Sequence, residues 1–160
     1  MEVVNVTGAN ADAAAGLFDE YRVWCGRPSD VSAARNFLRH RLINNEAVVF
    51  LATADEQPKA FALLYPLFSS VSMEPVWILN DLFVTESARG SGIGRLLLET
   101  VEQFARETGA LRLELETEVT NTKAQSIYER YGWEQVTEYV RYYRPLEEAS
   151  REEGGAADEL

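Results

Sequence analysis

A glycine-rich run at residues 89–95, Arg-Gly-Ser-Gly-Ile-Gly-Arg, limits the folds open to this chain more than any other segment. It lies between a predicted strand and the start of a predicted helix. Its three glycines let the backbone turn tightly and bring several N–H groups against a ligand. Those groups coincide with the positive end of the helix dipole, and two guanidinium groups add positive charge. The run therefore predicts a phosphate or pyrophosphate site formed by Arg89, Gly90, Ser91, Gly92, Ile93, Gly94 and Arg95.

Other phosphate-binding loops fit this run less well. The Walker pattern GxxxxGK[ST] does not occur in the chain. The dinucleotide pattern GxGxxG fails because Arg95 or Leu97 stands where the third glycine is needed. Glu114 and Glu116 nevertheless follow the glycines by about 20 residues, where a ribose-binding acid would stand. A glycine-rich hinge that binds nothing also stays open as an interpretation.

Hydrophobic periodicity predicts a mixed α/β (α+β) fold with the element order β-α-α-β-β-β-α-β-α-β. The strand, helix, strand unit over residues 76–117 must be parallel, whereas the other strand pairs can be antiparallel. We expect one domain over residues 1–146 and a disordered acidic tail over 147–160. The predicted strands are 2–6, 47–54, 59–69, 76–84, 111–117 and 133–144. The predicted helices are 11–25, 31–44, 92–107 and 121–131, and Ser29 and Asp30 are capping residue types before the second of them.

The overall charge and the few cysteines and histidines exclude several classes of partner. The 160 residues carry 15 basic and 26 acidic side chains, a net charge of −11 that repels nucleic acid and anionic lipid. Cys25 and His40 are too few for a zinc cluster, so we expect no metal, and we expect Cys25 to be a buried thiol. The longest apolar run, over residues 60–68, is too short to span a bilayer. With a lone thiol and no signal-peptide pattern, these features indicate a cytoplasmic protein without a membrane partner.

Two signatures together give the chain a resemblance to the GNAT superfamily of acyl-CoA-dependent N-acetyltransferases. The first combines Arg89, Gly92 and Gly94 with a preceding strand that ends in residues 81–84. The second lies downstream, where Asn, Ala, Tyr, Gly and an aromatic residue recur at the family's spacing as Asn121, Ala124, Tyr128, Gly132 and Trp133. The resemblance implies a GNAT-like fold in which the fourth and fifth strands splay apart. It also implies that the chain uses acetyl-CoA as a co-substrate.

The same resemblance assigns roles to individual residues. Main-chain groups of Leu82, Phe83 and Val84 would contact the thioester and the pantetheine arm, and one N–H would polarise the carbonyl. Tyr128 would protonate the leaving thiolate, although a core tyrosine is the alternative interpretation. Asn121 would contact the cofactor, and it is also suited to cap its helix.

The residue that removes the proton from the acceptor amine is less clearly marked. Relatives that acetylate polyamines carry a Glu-Asp pair where this chain has Asn80 and Asp81. Asp81 could act through a water molecule, and Glu116 and Glu118 are reserve candidates. All three acids are equally well explained as solvated charges at a sheet edge.

The function implied is acetyl transfer to a primary amine of a small molecule or of a peptide or protein. A non-catalytic acyl-CoA-binding regulatory module is the alternative. The segment 24–30, with Tyr65 and Pro66, would border the acceptor groove and set specificity. The oligomeric state, monomer or homodimer, stays open.

Overall fold

The computed structural model describes residues 1–146 of the chain. Two compact units are present, one over residues 1–116 and the other from residue 117 onward. The predicted acidic tail, 147–160, lies outside the described residues. In chain order the elements are β1 (Glu2–Val6), α1 (Asp12–Trp24), α2 (Val31–Ile43), β2 (Val48–Ala54), β3 (Gln57–Ser69), β4 (Glu74–Val84), a 3-10 turn (Glu86–Ala88), α3 (Ile93–Glu107), β5 (Arg112–Leu115) and α4 (Thr122–Arg130).

The first unit is built on a mixed five-stranded sheet with the strand order β1-β2-β3-β4-β5. The first four strands pair antiparallel, with β2, β3 and β4 as a meander, and β5 pairs parallel with β4. Helix α3 connects β4 to β5, as expected for the crossover of a parallel unit. The predicted mixed sheet and its single parallel connection are confirmed.

Each face of this sheet is covered by helices, because strand side chains alternate between the two faces. Phe61, Leu63 and Phe83 share a buried cluster with residues of α1 and α2. The neighbouring positions point the other way, and Phe50 there packs edge-on against Phe104 of α3 at 5.3 Å between ring centroids. Helix α3 therefore covers the face opposite to α1 and α2.

Strand β4 contains an irregularity next to the residues predicted to bind the thioester. Leu63 of β3 pairs with Asp81, whereas the next residue, Leu64, pairs with Leu79. Asn80 is therefore an extra residue in β4, which is the arrangement of a β-bulge. The ladder between β4 and β5 covers only Val76 to Leu79 on the β4 side, and β4 continues to Val84 beyond it. The strands thus pair over part of their length, as the splayed sheet expected from the resemblance requires.

The sixth predicted strand, over residues 133–144, is wrong. The structure assigns no strand to this segment of the described chain. Its aromatic and β-branched side chains favour strands, but such residues form one only where a neighbouring edge pairs with their backbone and their side chains pack. Large side chains in the segment are instead exposed, among them Val136, Tyr139, Val140, Tyr142 and Tyr143.

Candidate active site

The glycine-rich run forms the turn that leads from the 3-10 helix into α3. Gly90 and Gly92 adopt φ values of 77° and 88°, in the left-handed region that side chains disfavour. A Cβ at either position would meet open space, so these glycines are required by backbone conformation and not by crowding. At Gly94, by contrast, a Cβ would lie 3.4 Å from Cγ2 of Val84. The run therefore turns as predicted and brings the start of α3 against the end of β4.

Backbone N–H groups at the start of α3 are directed out of the helix. Gly92 is the N-cap residue, and the helical hydrogen-bond ladder begins where Leu96 N–H donates to the Gly92 carbonyl at 3.1 Å. N–H groups of the preceding turn have no carbonyl within the helix to donate to. Ser91 Oγ accepts from the Ile93 N–H at 3.4 Å and itself donates to the Ala88 carbonyl at 2.6 Å. This geometry is suited to an anion at the positive end of the α3 dipole.

The two arginines of the run have different surroundings. Arg89 Nε donates to the carbonyl of Val84 at 3.3 Å, which ties the loop to the end of β4. Arg95 Nε donates to Glu99 Oε1 at 2.7 Å, in an exposed ion pair between residues one helical turn apart. An exposed pair of this kind is weak, so a phosphate could compete for Arg95. Their roles in anion binding remain predictions.

The end of β4 lies next to this loop in space. Leu82, Phe83 and Val84 pair with residues 60–62 of β3, and only the Phe83 side chain is buried. An open cavity of about 530 Å³ lies beside this strand end, lined by residues that include Lys59 and Thr85. The end of β4 is therefore accessible from solvent. The contact of these residues with a thioester remains a prediction.

Asp81 stands just after the bulge and is held by hydrogen bonds on both carboxylate oxygens. The Tyr21 hydroxyl donates to Oδ1 at 2.7 Å, and Asn80 Nδ2 donates to Oδ2 at 3.0 Å. Burial and the Asp81 charge raise the pKa of Tyr21 well above its usual value, and the same causes raise the pKa of Tyr65. Asp81 is therefore oriented by a protonated phenol and is not a free surface charge.

Aromatic rings surround this carboxylate on the side of α1. The Tyr21 ring lies 5.6 Å from that of Phe83 and 6.2 Å from that of Trp24, between centroids, and Trp24 lies 6.2 Å from Phe83. The sequence placed Tyr21 and Trp24 on the apolar face of α1 but gave no link to Asp81. The only signal in the sequence was a tyrosine on an otherwise apolar helix face, whose hydroxyl needs a hydrogen-bond partner when buried.

A buried carboxylate on α1, Asp19, was missed at the level of sequence. Its oxygens accept from Ser29 Oγ at 2.6 Å, from the Asp30 N–H at 2.8 Å and from Arg22 Nη1 at 3.0 Å. These hydrogen bonds, with that of Ser29 the most important, lower the pKa of Asp19. The predicted cap is confirmed, because Asp30 in turn accepts from the Ala33 N–H. Asp19 thereby fixes the segment between α1 and α2 that was predicted to border the acceptor groove.

Cys25, at the start of the same segment, differs from expectation. The sequence predicted a buried thiol, whereas Cys25 is exposed. It follows Trp24 at the C-terminal end of α1, where the chain turns at Gly26 with a φ of 79°. Its position at a helix end explains the exposure, because the apolar face of α1 no longer continues there.

The second unit contains the downstream signature on α4. Asn121 Oδ1 accepts from the Ala124 N–H at 3.0 Å, so the predicted helix cap is present. Tyr128 is half-buried and its ring lies 5.9 Å from that of Trp133. Burial raises the pKa of the Tyr128 phenol, which keeps its proton at neutral pH. The reserve acids Glu116 and Glu118 are exposed.

The described residues also bear on metal binding and on membrane insertion. Within residues 1–146, no group of three His, Cys, Asp or Glu side chains is arranged to hold a metal ion. None of the helices described is both long and apolar enough to cross a membrane.

Comparison with known proteins adds independent findings. The model of the acetyltransferase (GNAT) family matches residues 14–133. An uncharacterised N-acetyltransferase of Bacillus subtilis, YhfO, is 42% identical over 142 residues, which cover 89% of this chain and 95% of that protein. An aminoglycoside N(6')-acetyltransferase type 1 of Stenotrophomonas maltophilia is 32% identical, covering 86% of this chain and 90% of the relative. A crystal structure described as a probable acetyltransferase superposes with a TM-score of 0.85 at 41% identity, covering 92% of this chain and 99% of that one.

Proposed function

We propose, on the premise that the chain belongs to the GNAT acetyltransferase family, that it transfers an acetyl group from acetyl-CoA to a primary amine. The observation that carries this proposal is the turn at Gly90 and Gly92, whose N–H groups open at the positive end of α3 directly after β4. A pyrophosphate bound there would leave the rest of the cofactor to follow β4. The bulge at Asn80 supports this path, because β4 extends beyond its ladder with β5.

The reaction is a direct attack of the amine on the thioester. The lone pair of the amine nitrogen forms the new C–N bond, and the C–S electron pair leaves with sulfur. An ammonium substrate must lose one proton before attack, and the new amide nitrogen loses a second one. One proton ends on the CoA thiol and the other is released to solvent. The enzyme therefore needs a proton acceptor near the amine and a proton donor near the sulfur.

Asp81 is the proposed proton acceptor. Its carboxylate is fixed by Tyr21 and Asn80, and it lies next to the bulge where the thioester is expected. Hydrogen bonds from these two groups hold its orientation, while its remaining lone pairs can receive a proton through a water molecule. Such fixed geometry is what general base catalysis requires.

Tyr128 is the proposed proton donor. Its raised pKa supports this role, because the phenol carries its proton at neutral pH and can pass it to a thiolate. Asn121 caps α4 through its side chain and would also contact the cofactor.

We place the reaction in the cytoplasm, where a lone, exposed thiol such as Cys25 stays reduced.

Amine acceptors of low molecular weight are the first to test, because a relative at 32% identity acetylates aminoglycosides. Peptide amines are the second group, and a regulatory module that binds acyl-CoA without turnover is the alternative function. The experiment measures release of free CoA thiol from acetyl-CoA with kanamycin, benzylamine and a lysine-containing peptide as acceptors. Turnover with any of them supports the proposed function, and tight acetyl-CoA binding without turnover supports the alternative.

The Tyr128→Phe variant tests the role of the proton donor in the same assay. We expect kcat to fall by about 10²-fold or more, which is the scale of general acid catalysis, with acetyl-CoA affinity unchanged. Tyr131→Phe is the matched control, since it removes a hydroxyl from the same helix end at a more exposed ring. Equal kcat for the Tyr128→Phe and wild-type proteins would return Tyr128 to a packing role.

A further inference from the structure

The segment that joins α1 to α2 lies on the surface of the first unit. Every residue from 23 to 33 is exposed, so the segment buries little of the apolar surface that holds the two helices in place. An exposed segment with few buried contacts opens at a low cost in free energy unless hydrogen bonds hold it. Its hydrogen bonds therefore decide how firmly it is placed.

The first half of the segment is tied to the backbone of α1. The Gly26 N–H donates to the Val23 carbonyl at 2.9 Å, and the Arg27 N–H donates to the Arg22 carbonyl at 2.9 Å. These two bonds form a Schellman motif, which closes the end of α1 at a glycine with a φ of 79°. Pro28 follows and has no N–H to donate. The Schellman motif therefore holds the segment only as far as Arg27.

The second half of the segment is tied to one side chain, that of Asp19. This residue is 4% exposed, and its carboxylate accepts from Ser29 Oγ at 2.6 Å and from the Asp30 N–H at 2.8 Å. Asp30 in turn accepts from the Ala33 N–H in the first turn of α2. Arg22, whose carbonyl belongs to the Schellman motif, donates to Asp19 at 3.0 Å. Asp19 thus fixes both the return of the chain and the point where α2 begins.

A buried carboxylate is a costly way to stabilise a helix. Taking the charge out of water costs free energy, and an apolar side chain of similar volume often stabilises a fold as well or better. The hydrogen bonds, that from Ser29 above all, lower the pKa of Asp19 and keep it charged at neutral pH. A fixed position for Ser29 and Asp30 is what this carboxylate supplies and an apolar residue does not. The network is therefore suited to placing the segment.

The same part of α1 reaches the proposed reaction site. Two residues after Asp19, the Tyr21 hydroxyl donates to Asp81 Oδ1 at 2.7 Å. Trp24 lies 6.2 Å from Phe83 between ring centroids, and the segment 25–30 begins directly after it. A shift of the segment would change the space beside the end of β4. It would not move Asp81, because Tyr21 lies on the helix and not on the segment.

We propose that Asp19 is a positioning residue for acetyl transfer: through Ser29 and Asp30 it holds the segment 25–30 in one place, and the held segment sets the KM of the acceptor amine. This inference rests on the proposed function. Asp19 is itself buried and acts only through the segment. Loss of its hydrogen bonds raises the acceptor KM, because amine binding must then order the segment. The kcat and the affinity for acetyl-CoA stay the same, because Asp81 and the loop at residues 89–95 keep their places.

Ser29→Ala tests the hold on the segment, because it removes one donor at an exposed residue and leaves the carboxylate in place. Hydrogen exchange of the full-length protein, followed by mass spectrometry, reports on the segment without any substrate. Peptides over residues 23–33 should exchange about 10-fold faster in Ser29→Ala, as expected for loss of a hydrogen bond to a charged group. Peptides of β2 and β3 should be unchanged. Asp19→Ala should have a larger effect, and Ser29→Thr, which keeps the hydroxyl, should restore the wild-type rate.

Steady-state kinetics give the second measurement, with the amine that has the highest kcat/KM in the acceptor assay. In Ser29→Ala and Asp19→Ala, the KM for this amine should rise by about 3- to 10-fold, because binding has to order the segment. The kcat, and the Kd for acetyl-CoA measured by calorimetry, should be unchanged. Asp12→Ala is the matched control, because it removes an exposed carboxylate at the other end of α1 that pairs with Arg35. It should leave all three quantities and the exchange of residues 23–33 unchanged.

Unchanged exchange in Ser29→Ala and Asp19→Ala, or faster exchange with an unchanged acceptor KM, would overturn the positioning role. An equal loss of kcat or of acetyl-CoA affinity would also overturn it, because a general loss of structure would then be the cause. If Asp19→Ala does not fold, Ser29→Ala decides alone. A wild-type protein that acetylates no amine would overturn the proposed function and the effect on KM, and the exchange data would still decide whether Asp19 holds the segment.

Discussion

Among single residues, Tyr21 links the core to Asp81, the proposed proton acceptor. Its ring packs against Phe61 and Phe83 of the sheet, while its hydroxyl orients Asp81. Burial and the neighbouring carboxylate both oppose the phenolate form, so the pKa of Tyr21 is higher in the folded chain than in the unfolded one. The unfolded state therefore loses this proton first as the pH rises. The stability that Tyr21 contributes is complete below the unfolded pKa of about 10 and declines above it.

Tyr21→Phe tests this linkage. Between about pH 9 and pH 11, the free energy of unfolding of the wild-type protein should fall more steeply than that of the variant. The difference in slope is at most about 1.4 kcal/mol per pH unit, because one proton is involved and water reaches part of the ring. Urea unfolding at a series of pH values measures it. Tyr65 and Tyr128 are present in both proteins, so their titration cancels, and parallel curves would contradict the raised pKa.

How far single residues could be predicted depends on the range of their contacts. The arginines and glycines of residues 89–95 and the asparagine cap at residue 121 belong to local patterns, and their positions follow from sequence. The Tyr21 to Asp81 bond joins residues 60 positions apart, and no spacing rule signals it. Asp19 likewise carries no local sequence signal of its role, because its donors Ser29 and Asp30 reach it only once the chain turns after α1.

At the level of elements, the turn into α3 is the feature most open to a direct test. Gly92→Asp should strongly weaken CoA binding, because it adds a negative charge at the proposed pyrophosphate position. The Cβ itself meets no neighbour, and Asp tolerates the left-handed conformation better than most residues. We expect the variant to fold and its Kd for CoA to rise by about 10²-fold or more, as judged by calorimetry.

Gly92→Asn is the matched control for this experiment. Asn has the same shape and a similar tolerance for a positive φ, but no charge. A much smaller loss of CoA affinity in Gly92→Asn would assign the effect to charge at the anion site. Unchanged affinity in a folded Gly92→Asp protein would remove the site from this loop.

Elements were predicted well where their pattern determines their partner and poorly where it does not. The amphipathic face of α3 and the glycines before it were enough to predict the helical crossover between β4 and β5. The position of the bulge at Asn80 could not be predicted, since a single extra residue leaves no mark on hydrophobic alternation. The segment 133–144 has residues that favour strands, but propensity alone supplies no partner edge.

For the molecule as a whole, net charge would affect how the two proposed substrates approach. The net charge of −11 favours cationic amines and disfavours the anionic cofactor. In the proposed function, the loop at residues 89–95 would hold CoA by local N–H groups and arginines against the overall field. A cationic acceptor amine would be helped by that same field. Salt weakens both effects, but with opposite signs for the two substrates.

The last prediction uses this difference in sign. With acetyl-CoA kept saturating, kcat/KM for a cationic acceptor such as benzylamine should fall as NaCl rises, while kcat changes less. The reason is that screening acts on diffusional approach, over a Debye length of about 8 Å at physiological ionic strength and about 3 Å at 1 M. The KM for acetyl-CoA, measured at saturating amine, should not rise in parallel, because its long-range interaction with the protein is repulsive. Initial rates across a salt series separate the two substrates. A cationic acceptor whose kcat/KM is indifferent to salt would show that local contacts at the site govern its capture and that the charge of the whole chain does not.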